Sequence, residues 1–280
     1  MRFTFLGTGT SAGIPAIGCA CAVCRSDDPR DTRLRSSAAV RFTDARGQDR
    51  TVLIDASPDL RQQALRAGLT ACDAVLFTHN HVDHTFGLDE VRRFNAVMKR
   101  PIDIYAEDRT MEHLRRVYKH IFDKDDNVQD SFVATLIAHR IDPSLVESRT
   151  PIDLFGMLFT PIRLLHGRLP VLGWRIEPSE ALRDRAKSSS PFPLAYCTDV
   201  SGVPPESWSA FRGVRTLVLD ALRHRHHPTH FTLGQAVGVA HEVGAPNTWF
   251  IHMAHDLGHA ETDATLPDGM RLAYDGLVLE

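Results

Sequence analysis

The stretch Thr78-His79-Asn80-His81-Val82-Asp83-His84 places four possible metal ligands within six residues. It continues the apolar run Ala74–Thr78, which reads as a buried strand. Side chains alternate along an extended chain, so His79 and His81 point to one side. Asp83 and His84 follow as the chain turns toward the next helical pattern. One metal ion can take the first pair of ligands and a second ion the next.

Working outward, Arg2–Leu6, Thr51–Asp55, Ala74–Thr78, Ile102–Tyr105, Met157–Leu165, Leu194–Thr198, Thr216–Asp220 and Thr248–His252 all read as strands. Runs such as AVLFT and TLVLD are apolar on both faces, which predicts sheets covered on both sides. Between them, helical spacing is seen at Leu60–Ala67, Leu88–Met98, Thr110–Phe122 and from Leu233 onward. Ser57-Pro58 supplies a cap and a first-turn proline for the first of these, and Gly68 a stop. The polar stretches Asp123–Asp130 and Pro178–Pro191 read as surface loops. No internal repeat stands out, although strands and helices in each half suit a pseudo-symmetric sandwich. The expectation is one α/β domain over residues 1–280. The strands share one habit: Asp55, His79, Asp199, Asp220 and His252 each lie at the end of an apolar run. Polar groups placed this way gather along one sheet edge, where α/β sites are built.

The composition agrees with a metal site. The chain has 280 residues, of which 43% are hydrophobic and 24% charged, which excludes disorder, collagen-like and coiled-coil classes. Histidine is in surplus at 15 copies, ten of them within 79–84, 224–230 and 252–259. The net charge of -3 carries no basic footprint, so no nucleic-acid partner is expected. No apolar run approaches the ~18 residues of a membrane span, so no membrane partner is expected either. The opening MRFTFLGTGTSAG does not read as a secretory signal, and a cytoplasmic location is expected.

Of five cysteines, Cys19, Cys21 and Cys24 fall within six residues, too close for a disulfide framework. Three thiolates at this spacing can hold zinc tetrahedrally given one more ligand. His255 is the candidate, three residues after His252. Such a closed site would be structural, pinning residues 15–30 to the C-terminal segment. Cys72 and Cys197 read as inert core residues.

The His79–His84 pattern, HxHxDH, resembles the signature of the metallo-β-lactamase superfamily, whose fold is an αββα sandwich of two mixed sheets flanked by helices. Further matches occur in order along the chain: Asp55 in TVLID, His166 after MLFTPIRLL, Asp199 in AYCTD and His252 in WFIH. The resemblance implies two sites. His79, His81 and His166 would hold one divalent ion, Asp83, His84 and His252 the other, with Asp199 bridging and Asp55 orienting the loop. This donor set suits Zn, Mn or Fe. Within the superfamily, GCxCxxC near the start together with LGTGTSAGIPAIGCACAVC, CTDVSGVPPE and LPDGMRLAYDGLVL resembles the PhnP-type phosphodiesterases, which cleave phosphoribosyl 1,2-cyclic phosphate. That likeness implies a small anionic phosphodiester, cyclic in form, opened by a hydroxide shared between the ions. It also implies a homodimer and His230, in PTHFTLGQA, as catalytic acid.

The chain departs from the pattern in a longer middle, about 108–153, and in the extra His224, His226 and His227. Those three either bind phosphate or are solvated. Asp220 reads either as a support for a metal histidine or as a buried structural carboxylate. Arg163 and Arg168 flank His166 and either meet phosphate or stay exposed, and Gly7, Gly9 and Gly13 suit a tight turn beside the metals. His113, His120, His139 and His241 read as surface or helix residues. Rival readings on the same fold are a tRNA 3′-end endonuclease, disfavoured by the charge, and a lactone or thioester hydrolase. A non-catalytic, zinc-stabilised binding protein belongs to another class, and the complete HxHxDH set argues against it.

Overall fold

The computed structural model describes residues 1–127, 131–185 and 187–280. Residues 128–130 and Ala186, inside the two polar stretches, lie outside the described residues. The elements run in order: β1 (Arg2–Gly7), β2 (Ser37–Thr43), β3 (Asp49–Ile54), α1 (Leu60–Arg66), β4 (Ala74–Leu76), α2 (Val82–Thr85), α3 (Arg92–Met98), β5 (Ile102–Glu107), α4 (Asp108–Val117) and α5 (Lys119–Phe122). They continue with β6 (Leu136–Ile141), α6 (Pro143–Ser148), β7 (Ile152–Leu154), β8 (Met157–His166), β9 (Leu169–Pro178), α7 (Glu180–Arg183), β10 (Leu194–Cys197) and β11 (Thr216–Asp220). Last come α8 (Leu233–Val243), β12 (Asn247–Ile251), α9 (His259–Asp263), β13 (Met270–Leu272) and β14 (Val278–Leu279).

Two seven-stranded mixed sheets result, ordered β14-β1-β2-β3-β4-β5-β6 and β13-β12-β11-β10-β9-β8-β7. Each is antiparallel on one side and parallel on the other, the change falling after β3 in the first sheet and at β10 in the second. The pseudo-symmetry suggested by the sequence is therefore present in the architecture. The longer middle supplies β6 and α4–α6, so it extends the first sheet as well as its helical cover.

The two-sided apolar strands follow from the pleat. Val52, Ile54 and Leu76 face a core between the sheets, where they meet Phe159, Trp174, Tyr196 and Val218. Their neighbours Leu53 and Val75 face outward with Leu60, Phe94, Met111 and Leu114 of the helical layer. In the second sheet Leu217 and Leu219 face outward to Ala236 and Ala240 of α8. Period-two alternation thus fills three hydrophobic layers at once. Each fully buried large apolar side chain, such as Phe159, contributes about 1.5–3 kcal/mol by leaving water.

Several local expectations shift. The first helix begins at Leu60 rather than Pro58, because the Ser57 hydroxyl accepts the Asp59 N–H at 3.2 Å and forms a turn before the helix. The β4 strand ends at Leu76, and Phe77 and Thr78 already belong to the loop. Residues 88–91 form a 3-10 turn before α3. The predicted Thr110–Phe122 helix breaks at Tyr118, whose φ of -105° and ψ of 42° separate α4 from α5. Thr232 and Gln235 form a reciprocal capping box at α8, which fixes the helix directly after His230.

Candidate metal centre

The backbone itself marks the site. Asp55, Asp199 and His252 have φ of 62°, 55° and 59°, left-handed values that non-glycine residues seldom adopt. Each directly follows a strand (β3, β12) or lies within two residues of one (β10), so each strand end turns sharply and presents its side chain between the sheets. Strain of this kind concentrates at functional sites.

The donor atoms converge in two adjoining groups. His79, His81, His166 and Asp199 form one, with donor atoms within 4.8 Å of one another; Asp83, His84, Asp199 and His252 form the other by the same measure. Asp199 belongs to both. Its Oδ1 lies 3.8 Å from His79 Nε2 and 3.3 Å from His252 Nε2, and its Oδ2 lies 3.0 Å from His84 Nε2. Asp83 Oδ2 is 3.3 Å from His84 Nε2 and 3.5 Å from His252 Nε2. His81 is exposed at the mouth, while the other donors are buried.

Neighbouring groups set the imidazole tautomers. Asp55 accepts the His84 Nδ1–H at 2.7 Å, the Thr78 backbone N–H at 2.8 Å and the Thr78 hydroxyl at 2.8 Å. With its proton committed to Asp55, the Thr78 hydroxyl accepts from His79 Nδ1 at 3.0 Å. His166 donates its Nδ1–H to the Thr229 carbonyl at 2.6 Å. In all three rings Nε2 is therefore the atom left for a ligand bond. His79 Nε2, His84 Nε2 and both ring nitrogens of His252 are buried without a hydrogen-bond partner. Buried nitrogens aimed at shared carboxylates and lacking partners fit divalent ions.

The electrostatics agree. Burial pushes His84 and His252 toward the neutral form, but Asp199, Asp83 and nearby carboxylates outweigh it, raising His252 to about 9. Burial alone would raise Asp199, yet His252 and His84 hold it well below the usual range. His79, His81 and His166 are held neutral chiefly by burial. The pocket thus contains carboxylates that require nearby positive charge, together with neutral imidazoles.

Asp220 joins this centre through another histidine. Its Oδ2 accepts the His230 Nδ1–H at 2.6 Å and the Val200 N–H at 2.8 Å. The His230 ring stands 4.5 Å from that of His166 and 4.7 Å, nearly parallel, from that of His252. His230 therefore sits at the junction of the two donor groups.

The structure brings Cys19, Cys21 and Cys24 together with His255. His255 Nδ1 lies 3.1, 3.5 and 3.4 Å from the sulfurs of Cys19, Cys21 and Cys24. Tetrahedral zinc bonds of ~2.3 Å to sulfur and ~2.1 Å to nitrogen put such atoms about 3.6 Å apart. The Cys24 N–H donates to Cys21 Sγ, and this bond draws the thiol down to about 7. Burial pushes Cys24 up to about 11.

Sequence reasoning missed the groups that aim the ligands: Thr78, the Thr229 carbonyl and a clamp built on Arg33. The fully buried Arg33 donates to Ala254 O at 3.1 Å, to Leu257 O at 2.5 Å and to Asp31 at 3.1 Å, gripping the segment between His252 and His259. Thr78 was legible as the residue before HxHxDH; the Thr229 carbonyl, 63 positions from His166, and the arginine contacts across more than 200 positions were not. Arg163 is taken up by Glu107, His139 by Asp103 and by stacking on Tyr105, and Cys72 and Cys197 are buried. The Gly9 and Gly13 segment does turn beside the centre, with Thr10 N bonded to Met253 O at 3.1 Å.

Two face-to-face mixed sheets, helices outside and His/Asp groups where the strands end define the metallo-β-lactamase class of fold. The family described as beta-lactamase superfamily domain matches residues 50–253. A solved structure of a diphosphatase from the PhnP family is 40% identical with a TM-score of 0.84, covering 100% of this chain and 97% of that one. The chain therefore belongs to the PhnP family of the metallo-β-lactamase superfamily. An octanoyltransferase of Porphyromonas gingivalis (strain ATCC BAA-308 / W83) is 35% identical over 279 residues, 99% of this chain and 51% of that protein. The chain thus spans about half the length of that relative. Zn(2+)-bound PqqB from Methylobacterium extorquens shares the fold at 20% identity and a TM-score of 0.72, with both chains fully covered. Among the described residues no helix is long and apolar enough to cross a membrane.

Proposed function

We propose that the chain is a phosphodiesterase acting on a small diester, with cyclic phosphates of ribose or nucleotides as the first candidates. The observation that carries this reading is His230, held by Asp220 at 2.6 Å and set between His166 and His252. A phosphodiester releases an alkoxide, which needs a proton at the moment of bond breaking. A buried imidazole fixed by a carboxylate at the edge of a metal pair meets that need. Membership of a family that includes a diphosphatase supports the same chemistry.

Two divalent ions would be held by His79, His81 and His166 and by Asp83, His84 and His252, with Asp199 shared. When bound, such a pair activates water near neutral pH and neutralises phosphoryl oxygens. The chain's own residues do the rest. Asp199, gripped by the Thr198 hydroxyl at 2.7 Å, holds the two halves in register. Asp55 orients His84 directly and His79 through Thr78. His230 delivers its Nε2 proton to the leaving oxygen, and Asp220 stabilises the imidazolium before transfer. The Cys19, Cys21, Cys24 and His255 group would hold a structural zinc that ties the N-terminal loop to the segment carrying His252.

The test is a substrate panel on protein reconstituted with Zn, Mn or Fe: cyclic ribose and nucleotide phosphates, linear diesters, lactones, thioesters and precursor tRNA. Preferential turnover of the small diesters is expected. Turnover confined to carbonyl esters, or to precursor tRNA, would replace this reading with one of its rivals.

A further inference from the structure

A cavity with no part in the chemistry above opens at the end of the first sheet away from the metal centre. It holds about 400 Å3 and lies between the start of β1, the β2–β3 hairpin and the loop 68–71 after α1. β3 runs from this cavity toward Asp55, so Thr51 in its wall stands about 13 Å along the strand from that carboxylate.

Strand register makes the cavity cationic. Arg41 on β2 pairs with Arg2 on β1 and with Thr51 on β3, so the three side chains share one face. That face is the outer one, since Ala39 and Leu53, two residues along, pack with Leu60 of α1. Like charges placed directly across a strand pair repel. Arg2 meets Glu280 at 3.0 Å, but both side chains are about half exposed, and such a pair offsets little. Arg41 has no carboxylate partner among the described residues. Its guanidinium donates to the Ala67 carbonyl at 3.3 Å and to the Thr4 hydroxyl at 3.4 Å, both long, and its Nε is buried with no acceptor. Burial and the Arg2 charge press Arg41 below its ordinary pKa. The other charged groups of the wall are already matched. Arg50 takes Asp44 and Asp73 and lies over the Phe155 ring, and Asp49 accepts the Thr43 hydroxyl at 2.8 Å.

Two facing guanidiniums with unmet donors and no shared carboxylate suit a dianionic oxygen ligand, which neutralises both and accepts from each fork. We propose that this cavity is a binding site, separate from the metal centre, for a phosphate dianion, free or carried on a sugar-sized body, held between Arg2 and Arg41. The cavity is larger than a phosphate, and Thr51 and Thr70 line it beside the arginines. The site is independent of the phosphodiesterase reading, because no metal ligand and neither His230 nor Asp220 takes part in it.

The test is calorimetric titration of the metal-loaded wild type, Arg41→Gln and Arg2→Gln with inorganic phosphate and with glucose 6-phosphate. The catalytic metals also attract phosphate, and the variants leave every metal ligand in place, so they separate the two sites. Wild type is expected to show a binding event that each variant weakens about 10-fold or more, while binding at the metals persists in all three. Tighter binding of glucose 6-phosphate than of phosphate, lost in the variants, supports a sugar phosphate as occupant. Equal binding of the two probes, lost in the variants, supports free phosphate. Titrations that neither variant changes overturn the site. Arg2 is exposed, so Arg2→Gln decides the question even if Arg41→Gln fails to fold.

Discussion

Asp55 accepts the Nδ1 proton of His84 at 2.7 Å and, through the Thr78 hydroxyl, also fixes His79 in the other donor group. One buried carboxylate at the end of β3 thus sets the tautomer of a ligand in each half of the centre. Asp55→Asn is expected to weaken metal binding about 10- to 100-fold while the fold persists. Competition against a chromophoric chelator measures this, and unchanged affinity at both sites would remove Asp55 from its orienting role.

His230→Ala is expected to slow diesters with poor alkoxide leaving groups by about 100-fold or more, and activated aryl diesters much less. Asp220→Asn should reproduce part of that pattern, since it leaves the imidazole in place and removes the charge that stabilises its protonated form. The readout is the dependence of kcat/KM on leaving-group pKa. An equal slowing of both substrate classes would count against proton donation.

Cys24→Ser is expected to lower bound zinc by one ion per chain and to loosen the grip on the His252 segment. Zinc content by emission spectrometry and the melting temperature report it together; each kcal/mol lost lowers Tm by about 2–4 °C in a domain of this size. Full zinc content in the variant would show that the cluster does not close as a site.

The metal-free chain should depend on pH through His252, which the facing carboxylates raise to about 9 from an unfolded value near 6.5. A raised pKa contributes stability that is complete below about 6.5 and is lost as pH climbs through about 9. Metal binding displaces that proton, so affinity should rise across the same window. Melting curves at pH 6, 7.5 and 9, with and without chelator, test this. A metal-free Tm that stays flat over the range would show that His252 is not charged in the empty pocket.

Sequence alone determined a good deal here. The αββα class, the HxHxDH loop, the ordered Asp55, His166, Asp199 and His252, and the cysteine spacing are all local patterns tied to strand ends, and local patterns survive without coordinates. Strands β2, β6, β7, β9, β13 and β14 went unread because partner strands, rather than a distinctive run of their own, specify them. The break at Tyr118 and the shifted start of α1 turn on single backbone and hydroxyl geometries that helical spacing does not encode.

Only the tertiary structure decided how the ligands are aimed. The Thr229 carbonyl reaches His166 across 63 positions, and Arg33 reaches Leu257 across 224. The structure also separated the surplus histidines, placing the His227 ring 5.1 Å from that of His230 and His139 on Asp103. Residue identity shows which atoms can bind a metal or move a proton. Which lone pair faces the pocket depends on hydrogen bonds made only after the two sheets have packed, and that packing is a property of the whole chain.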